Sequence, residues 1–179
     1  MPAIVDRLAL DAEAERRELV AGLRRTPASI PPKYFYDELG CALYGAICRL
    51  PEYYPTRTEV ALFNERRLEI AEAIGPGRQF VDLGAGDCCK ARGWLPFLAP
   101  SRYVAVDIAV HEIAAALERL APDFPELELV GVATDFSREL DLDGVLADGP
   151  ALFFYPGSSI GNFTPREATA FLSGIRRLC

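Results

Sequence analysis

Beyond residue 77 the chain alternates short apolar runs with segments of helical periodicity, and this alternation narrows the fold more than any other feature. The runs cover residues 79–83, 103–108, 127–133 and 151–155. Most are apolar throughout rather than at every second position, as in strands covered on both faces of a parallel sheet. Helical patterns follow at residues 90–98, 111–120 and 165–178. A strand, crossover helix and parallel strand wind right-handed, so the expectation is a Rossmann-like α/β sheet of about four parallel strands. The last helix has a well-specified start. Thr164-Pro165-Arg166-Glu167 supplies an N-cap, a proline at N1 and a glutamate at N3.

Gly75-Pro76-Gly77 divides this α/β region, residues 76–179, from a helical region over residues 1–75. An amphipathic helix is expected over roughly residues 4–24, followed by a linker at 28–32. Leu39, Leu43, Ile47 and Leu50 recur at helical spacing, as do Val60, Phe63, Ile70 and Ile74. Thr56-Arg57-Thr58-Glu59 reads as a capping box opening the second of these helices. Pro51 and Pro55 keep the stretch between them out of a helix. Four strands fall short of a complete doubly wound sheet, so the fourth is expected at an edge, and either the chain is a fragment or that edge pairs with something else.

Composition removes several function classes. With 19 basic and 26 acidic residues the net charge is -7, against a protein that grips nucleic acid through its phosphates. No apolar run approaches the roughly 20 residues of a membrane span. Five cysteines, two of them adjacent at positions 88 and 89, do not suit a disulfide framework and point to a reducing cytoplasm. His111 is the one histidine, and no CxxC or HExxH pattern occurs, which argues against zinc and Ser-His-Asp hydrolysis. No metal is expected.

The chemistry is expected in the loops that follow the strands. The first strand runs into Asp82-Leu83-Gly84-Ala85-Gly86-Asp87-Cys88-Cys89-Lys90. Gly84 permits a tight turn, and Gly86 lets the backbone approach a ligand that a side chain would block. The same turn also fits a bare strand-to-helix connection. Asp107 ends the second strand 21 residues after Gly86, where a carboxylate can accept from both hydroxyls of a ribose or else cap a helix. Asp135-Phe136 ends the third strand and could hydrogen-bond and stack against an adenine. A dinucleotide needs a third glycine where Cys89 stands, so a nicotinamide oxidoreductase is disfavoured. D-x-G-x-G resembles the first motif of class I methyltransferases that use S-adenosylmethionine, with Cys88 in place of that motif's third glycine. Lys90, one of two lysines, is a candidate donor for the cofactor carboxylate. Asn162, in the loop after the fourth strand, carries both donors and an acceptor for a zwitterion.

Several segments together resemble the L-histidine N-alpha-methyltransferase family of ergothioneine biosynthesis. They are Pro32-Lys33-Tyr34-Phe35-Tyr36-Asp37, Leu50-Pro51-Glu52-Tyr53-Tyr54-Pro55-Thr56-Arg57, Asp82-Leu83-Gly84-Ala85-Gly86 with Lys90, Tyr103-Val104-Ala105-Val106-Asp107, Asp135-Phe136, and Gly157-Ser158-Ser159-Ile160-Gly161-Asn162-Phe163. The resemblance implies an S-adenosylmethionine site at Gly84, Gly86, Lys90, Asp107, Asp135 and Phe136, and histidine contacts from Tyr53 and Asn162. Tyr36 would lie near the substrate amine. The helical region would then contribute to the substrate site, and residues 76–179 would form the N-terminal half of the methyltransferase domain. Members of the family are longer than this chain, so the resemblance implies a truncated C-terminus. The alternatives are a methyltransferase of another small amine or amino acid, and a non-catalytic remnant.

For methyl transfer, an amine must lose a proton before it attacks a sulfonium. No strong base stands in these segments, so a tyrosine–water relay through Tyr36, or bulk water, is expected to take it. His111 reads as a helix-start residue.

Overall fold

A computed structural model describes residues 1–8 and 11–179. Its strands are β1 (Ala3–Asp6), β2 (Gln79–Leu83), β3 (Arg102–Asp107), β4 (Glu128–Ala133) and β5 (Ala151–Phe154). Its helices are α1 (Ala12–Leu23), α2 (Glu38–Ile47), α3 (Tyr54–Ile74), α4 (Cys89–Arg92), α5 (Leu95–Leu98), α6 (Val110–Leu120) and α7 (Pro165–Ile175). The strands form one sheet in the order β1-β4-β3-β2-β5, every neighbouring pair parallel. This is the Rossmann-like architecture expected from the alternation, with β5 at one edge and one strand more than expected.

The extra strand lies where a helix was expected. Ala3–Asp6 pairs with β4 in register, Ile4 opposite Gly131, and the helix begins only at Ala12. Asp11 caps it, accepting from the N–H groups of Glu13 and Ala14. Two of the expected helical positions, Ala9 and Leu10, lie outside the described residues. Gly131 has a packing reason. A Cβ there would meet Ile4 Cδ1 at 2.6 Å and Leu117 Cδ1 at 3.1 Å, so the strand approaches β1 and α6 too closely for a side chain.

The central strands are largely apolar because both faces are covered. Phe80, Tyr103, Ala105 and Leu129 face one core with Trp94, Leu98, Ile113 and Leu117. Val81, Leu83, Val104, Val106 and Val132 face the other, against Leu142, Val145, Phe171 and Ile175. α3 lies over the first face, where Phe63 meets Trp94 edge-on at 5.2 Å. The helix expected over residues 90–98 is two short ones, interrupted at Gly93 and Trp94.

The helix starts divide. Thr164 and Glu167 form the expected capping box at α7. The box expected at Thr56 and Glu59 does not form: α3 starts one turn earlier, with Tyr53 as N-cap and Pro55 in its first turn. Proline fits there because the first-turn N–H groups have no intrahelical partner anyway. Tyr54 and Pro55 are therefore inside the helix rather than ahead of it. The Arg57 guanidinium donates to the carbonyls of Leu50 and Pro51, which fixes the turn before α3. Glu59 is left free for another role.

Candidate functional site

The parallel sheet delivers the ends of β2, β3, β4 and β5 to one edge, and the candidate residues lie there. After β2 the backbone folds back onto β3. The N–H groups of Gly84 and Ala85 both donate to the Val106 carbonyl, at 2.8 and 3.1 Å. Gly84 (φ +73°), Gly86 (φ +51°) and Cys88 (φ +59°) all take the left-handed region. Asp107 closes the turn from the next strand. One carboxylate oxygen accepts from Gly86 N–H at 2.9 Å, the other from Ala109 N–H at 3.0 Å. Asp107 thus braces both the glycine turn and the approach to α6, whose N-cap is Ala109. A Cβ at Gly86 would meet nothing within 4 Å, and one at Gly84 only the Phe136 ring edge at 3.9 Å. The turn is an open cradle with a carboxylate on its rim.

Cys88 stands where a glycine would relieve the backbone. A non-glycine residue in this conformation costs about 1–2 kcal/mol. Its side chain is 2 % exposed, so packing offsets the strain. Burial pushes its thiol up to about 12, which leaves it protonated and no nucleophile.

Beneath the turn lies a carboxylate that sequence reasoning did not place among the site residues. Asp82 is 2 % exposed and accepts the Tyr103 hydroxyl at 2.9 Å through one oxygen, while the other is buried without a hydrogen-bond partner. Burial raises its pKa to about 7, with Asp107 and Asp87 adding to the rise and Tyr103 and Lys90 opposing it. Its signal in the sequence was an acidic residue inside an otherwise apolar strand.

Lys90 lies in the first turn of α4 and is held from a distant helix. Its Nζ pairs with Glu59 Oε1 of α3, and Glu59 Oε2 accepts from Gly157 N–H at 2.6 Å. Glu59 was missed because its partners lie 31 and 98 residues away, and no local pattern announces them. Tyr44, Tyr53, Pro55, Thr56, Gly157 and Ser158 complete a cleft of about 40 Å³ around this pair. That volume holds a water molecule or a single ammonium group rather than a whole amino acid.

Asp135 follows β4 and is already engaged. Its carboxylate lies 3.3 Å from Lys33 Nζ and 3.5 Å from Arg138 Nε, and it also accepts from Ser137. Lys33 reaches Glu18 of α1 as well, at 3.0 Å, so this network ties the N-terminal helix to the end of β4. Phe136 packs among Tyr155 and Phe171, at 5.8 and 5.9 Å between ring centroids, with its edge toward Gly84.

Three tyrosines of the N-terminal region form a chain beside the cleft. Tyr36 meets Tyr44 edge-on at 6.5 Å, and Tyr44 meets Tyr53 at 6.3 Å. Tyr44 was not anticipated, since it lies off the apolar repeat of Leu39, Leu43, Ile47 and Leu50. Burial, with Asp107 next in importance, raises the Tyr36 hydroxyl above the ordinary tyrosine value. It therefore stays protonated near neutral pH and can pass a proton only by hydrogen bonding. Asn162 ends the turn after β5 and is exposed. Its side chain makes no hydrogen bond among the described residues, and it stands outside the Tyr44–Tyr53–Lys90 cleft. His111 sits in the first turn of α6, exposed, as a helix-start residue.

Among known proteins, a family profile described as "Histidine-specific methyltransferase, SAM-dependent" matches residues 15–179. Histidine N-alpha-methyltransferase of Mycolicibacterium smegmatis is 38 % identical over 168 residues, covering 92 % of this chain and 51 % of the relative. The protein of the same name from Mycobacterium tuberculosis is 36 % identical, covering 90 % and 51 %. A 4-dimethylallyltryptophan N-methyltransferase of Claviceps purpurea is 28 % identical, covering 88 % and 48 %. The chain spans about half the length of the curated relatives it matches.

Proposed function

Because the chain belongs to the histidine-specific, SAM-dependent methyltransferase family, we propose that it carries the S-adenosylmethionine-binding half of an enzyme that methylates the α-amino group of L-histidine. The product would be the trimethylated betaine hercynine, a step of ergothioneine biosynthesis in the cytoplasm. Its five free cysteines accord with a reducing compartment. Among the described residues no helix is long and apolar enough to cross a membrane. The partner is a small molecule.

The observation that carries this reading is the open Gly84–Gly86 turn with Asp107 fixed to its backbone. Cradle and rim fit a nucleoside: Asp107 has lone pairs left for two ribose hydroxyls after its two backbone bonds. Gly84 and Gly86 let the ligand approach the backbone. Lys90 has donors left for a tail carboxylate, and Asp135 and Phe136 take the adenine, polar edge and ring face respectively. When bound, the sulfonium supplies an electrophilic methyl group. The region of residues 1–75 contributes Tyr36 and Tyr53 to the substrate side, and Asn162 approaches from the loop after β5. On this reading Tyr53 contacts the amino acid from the cleft and Asn162 contacts it from outside the cleft. Tyr36, protonated itself, accepts the amine proton while passing its own to water. The site's contribution is alignment and exclusion of water rather than a strong base.

Calorimetry with histidine and its mono-, di- and trimethylated forms, in the presence of S-adenosylhomocysteine, tests the substrate. Heat with histidine and its lower methylated forms supports the reading. The relationship to the Claviceps purpurea enzyme favours a second reading, another amino-acid amine, and binding of tryptophan derivatives without histidine would select it.

A further inference from the structure

The loop after β5 has an unusual backbone, and one side chain from another part of the fold anchors it. Gly157 (φ +81°) and Ser158 (φ +60°) are consecutive left-handed residues. Gly157 N–H finds its acceptor in Glu59 Oε2 at 2.6 Å. The other oxygen of the same carboxylate pairs with Lys90. A Cβ at Gly157 would meet Lys90 Nζ at 3.0 Å, so the ammonium is packed against the loop backbone as well. The Glu59 side chain is 19 % exposed and that of Lys90 35 %. One carboxylate on α3 thus sets the distance between the helix after the glycine turn and the loop after β5.

A lysine on a partly exposed flexible stem has many rotamers, and holding it costs conformational entropy. The Glu59 pair removes most of that freedom beforehand while leaving further Nζ donors unused. We propose that Glu59 is a positioning residue. It fixes Lys90 Nζ against the residue 157–158 loop so that the remaining ammonium donors meet the carboxylate of an amino-acid tail on the bound nucleoside. This assignment rests on the S-adenosylmethionine reading of the site.

The test compares two nucleosides on wild type, E59Q and E59A. S-adenosylhomocysteine carries the tail carboxylate, and 5′-methylthioadenosine lacks it. E59Q keeps an acceptor for Gly157 N–H and loses the ion pair, so it isolates the effect on Lys90. The expected result is about tenfold weaker binding of S-adenosylhomocysteine to E59Q, with 5′-methylthioadenosine unchanged and the unfolding midpoint retained. E59A should lose more, since the loop anchor goes too. With only two lysines in the chain, the ¹⁵Nζ signal of Lys90 gives a ligand-independent check, and it should exchange faster with water in E59Q. Equal loss for both nucleosides, no loss, or tighter binding of S-adenosylhomocysteine to E59Q would overturn the positioning role. Absence of binding of either nucleoside to wild type would instead overturn the cofactor reading, and this assignment with it.

Discussion

Replacing Asp82 by asparagine should make the chain's stability less sensitive to pH, and the size of the effect follows from the geometry. The carboxyl group is sealed under the glycine turn, and burial lifts its pKa from an ordinary 3.8 to about 7. In the unfolded chain it ionises near its ordinary value, while in the folded chain it keeps its proton to near neutrality. The resulting stabilisation is therefore full below about pH 4 and lost as the pH rises toward about 7. The loss has an upper limit of about 4 kcal/mol, a large part of the total stability of a domain this size. Asparagine keeps an acceptor for Tyr103 and cannot ionise. Its new donors carry their own cost, but that cost does not vary with pH. Urea titrations at several pH values, followed by the fluorescence of buried Trp94, should show the mutant gaining on wild type by at least about 2 kcal/mol between about pH 4 and 7. A difference that stays constant or shrinks over that interval would refute the reasoning.

Three further outcomes are expected. Gly131→Val should lower stability by about 1–3 kcal/mol, because the added atoms meet Leu117 and Ile4, and denaturant midpoints would show it. Lys33→Met should loosen α1, since Glu18 and Asp135 lose their shared cation, and amide exchange over Ala12–Leu23 should speed up. Glu18 now sits below the ordinary glutamate value although burial opposes this, because its Lys33, Tyr34 and Arg138 contacts outweigh the burial. Its stabilising contribution is present above about pH 4.5 and fades as the pH falls, and Lys33→Met should flatten that fall. On the proposed reading, Tyr36→Phe in the whole enzyme should leave S-adenosylhomocysteine binding intact and slow histidine methylation on the order of 10²-fold, and unchanged turnover across pH would remove the relay.

The sheet was legible where burial makes sequence simple. β2, β3, β4 and β5 are covered on both faces, so their apolar runs stood out, and Thr164 and Glu167 marked α7 through a contact three residues long. β1 was not legible. Its four residues are mostly exposed and followed by charges, and only their pairing with β4, more than a hundred residues later, makes them a strand. Local signals misled at Thr56–Glu59, where a capping pattern lies inside a helix already started at Tyr54. The glycine turn and Asp107 were readable because a reversal after β2 with left-handed backbone favours glycine, and a carboxylate at the end of β3 can accept from the turn's N–H groups. Cys88 was read as a departure from the glycine pattern. The backbone keeps the glycine conformation there, and packing of the thiol holds it. Glu59 and Tyr44 could not be read at all, since their roles exist only once α2 and α3 are laid against the ends of β2 and β5.

The central claim is that the cradle formed by the Gly84–Gly86 turn and Asp107 holds an adenosyl sulfur nucleoside by its ribose. Titrating S-adenosylhomocysteine into the chain and into its Asp107→Ala variant measures this directly. The account predicts saturable heat with the wild-type chain and binding at least about 100-fold weaker in the variant, the worth of two hydrogen bonds to a charged acceptor at about 1.5 kcal/mol or more each. No heat with the wild-type chain, or equal affinity in both, would contradict it.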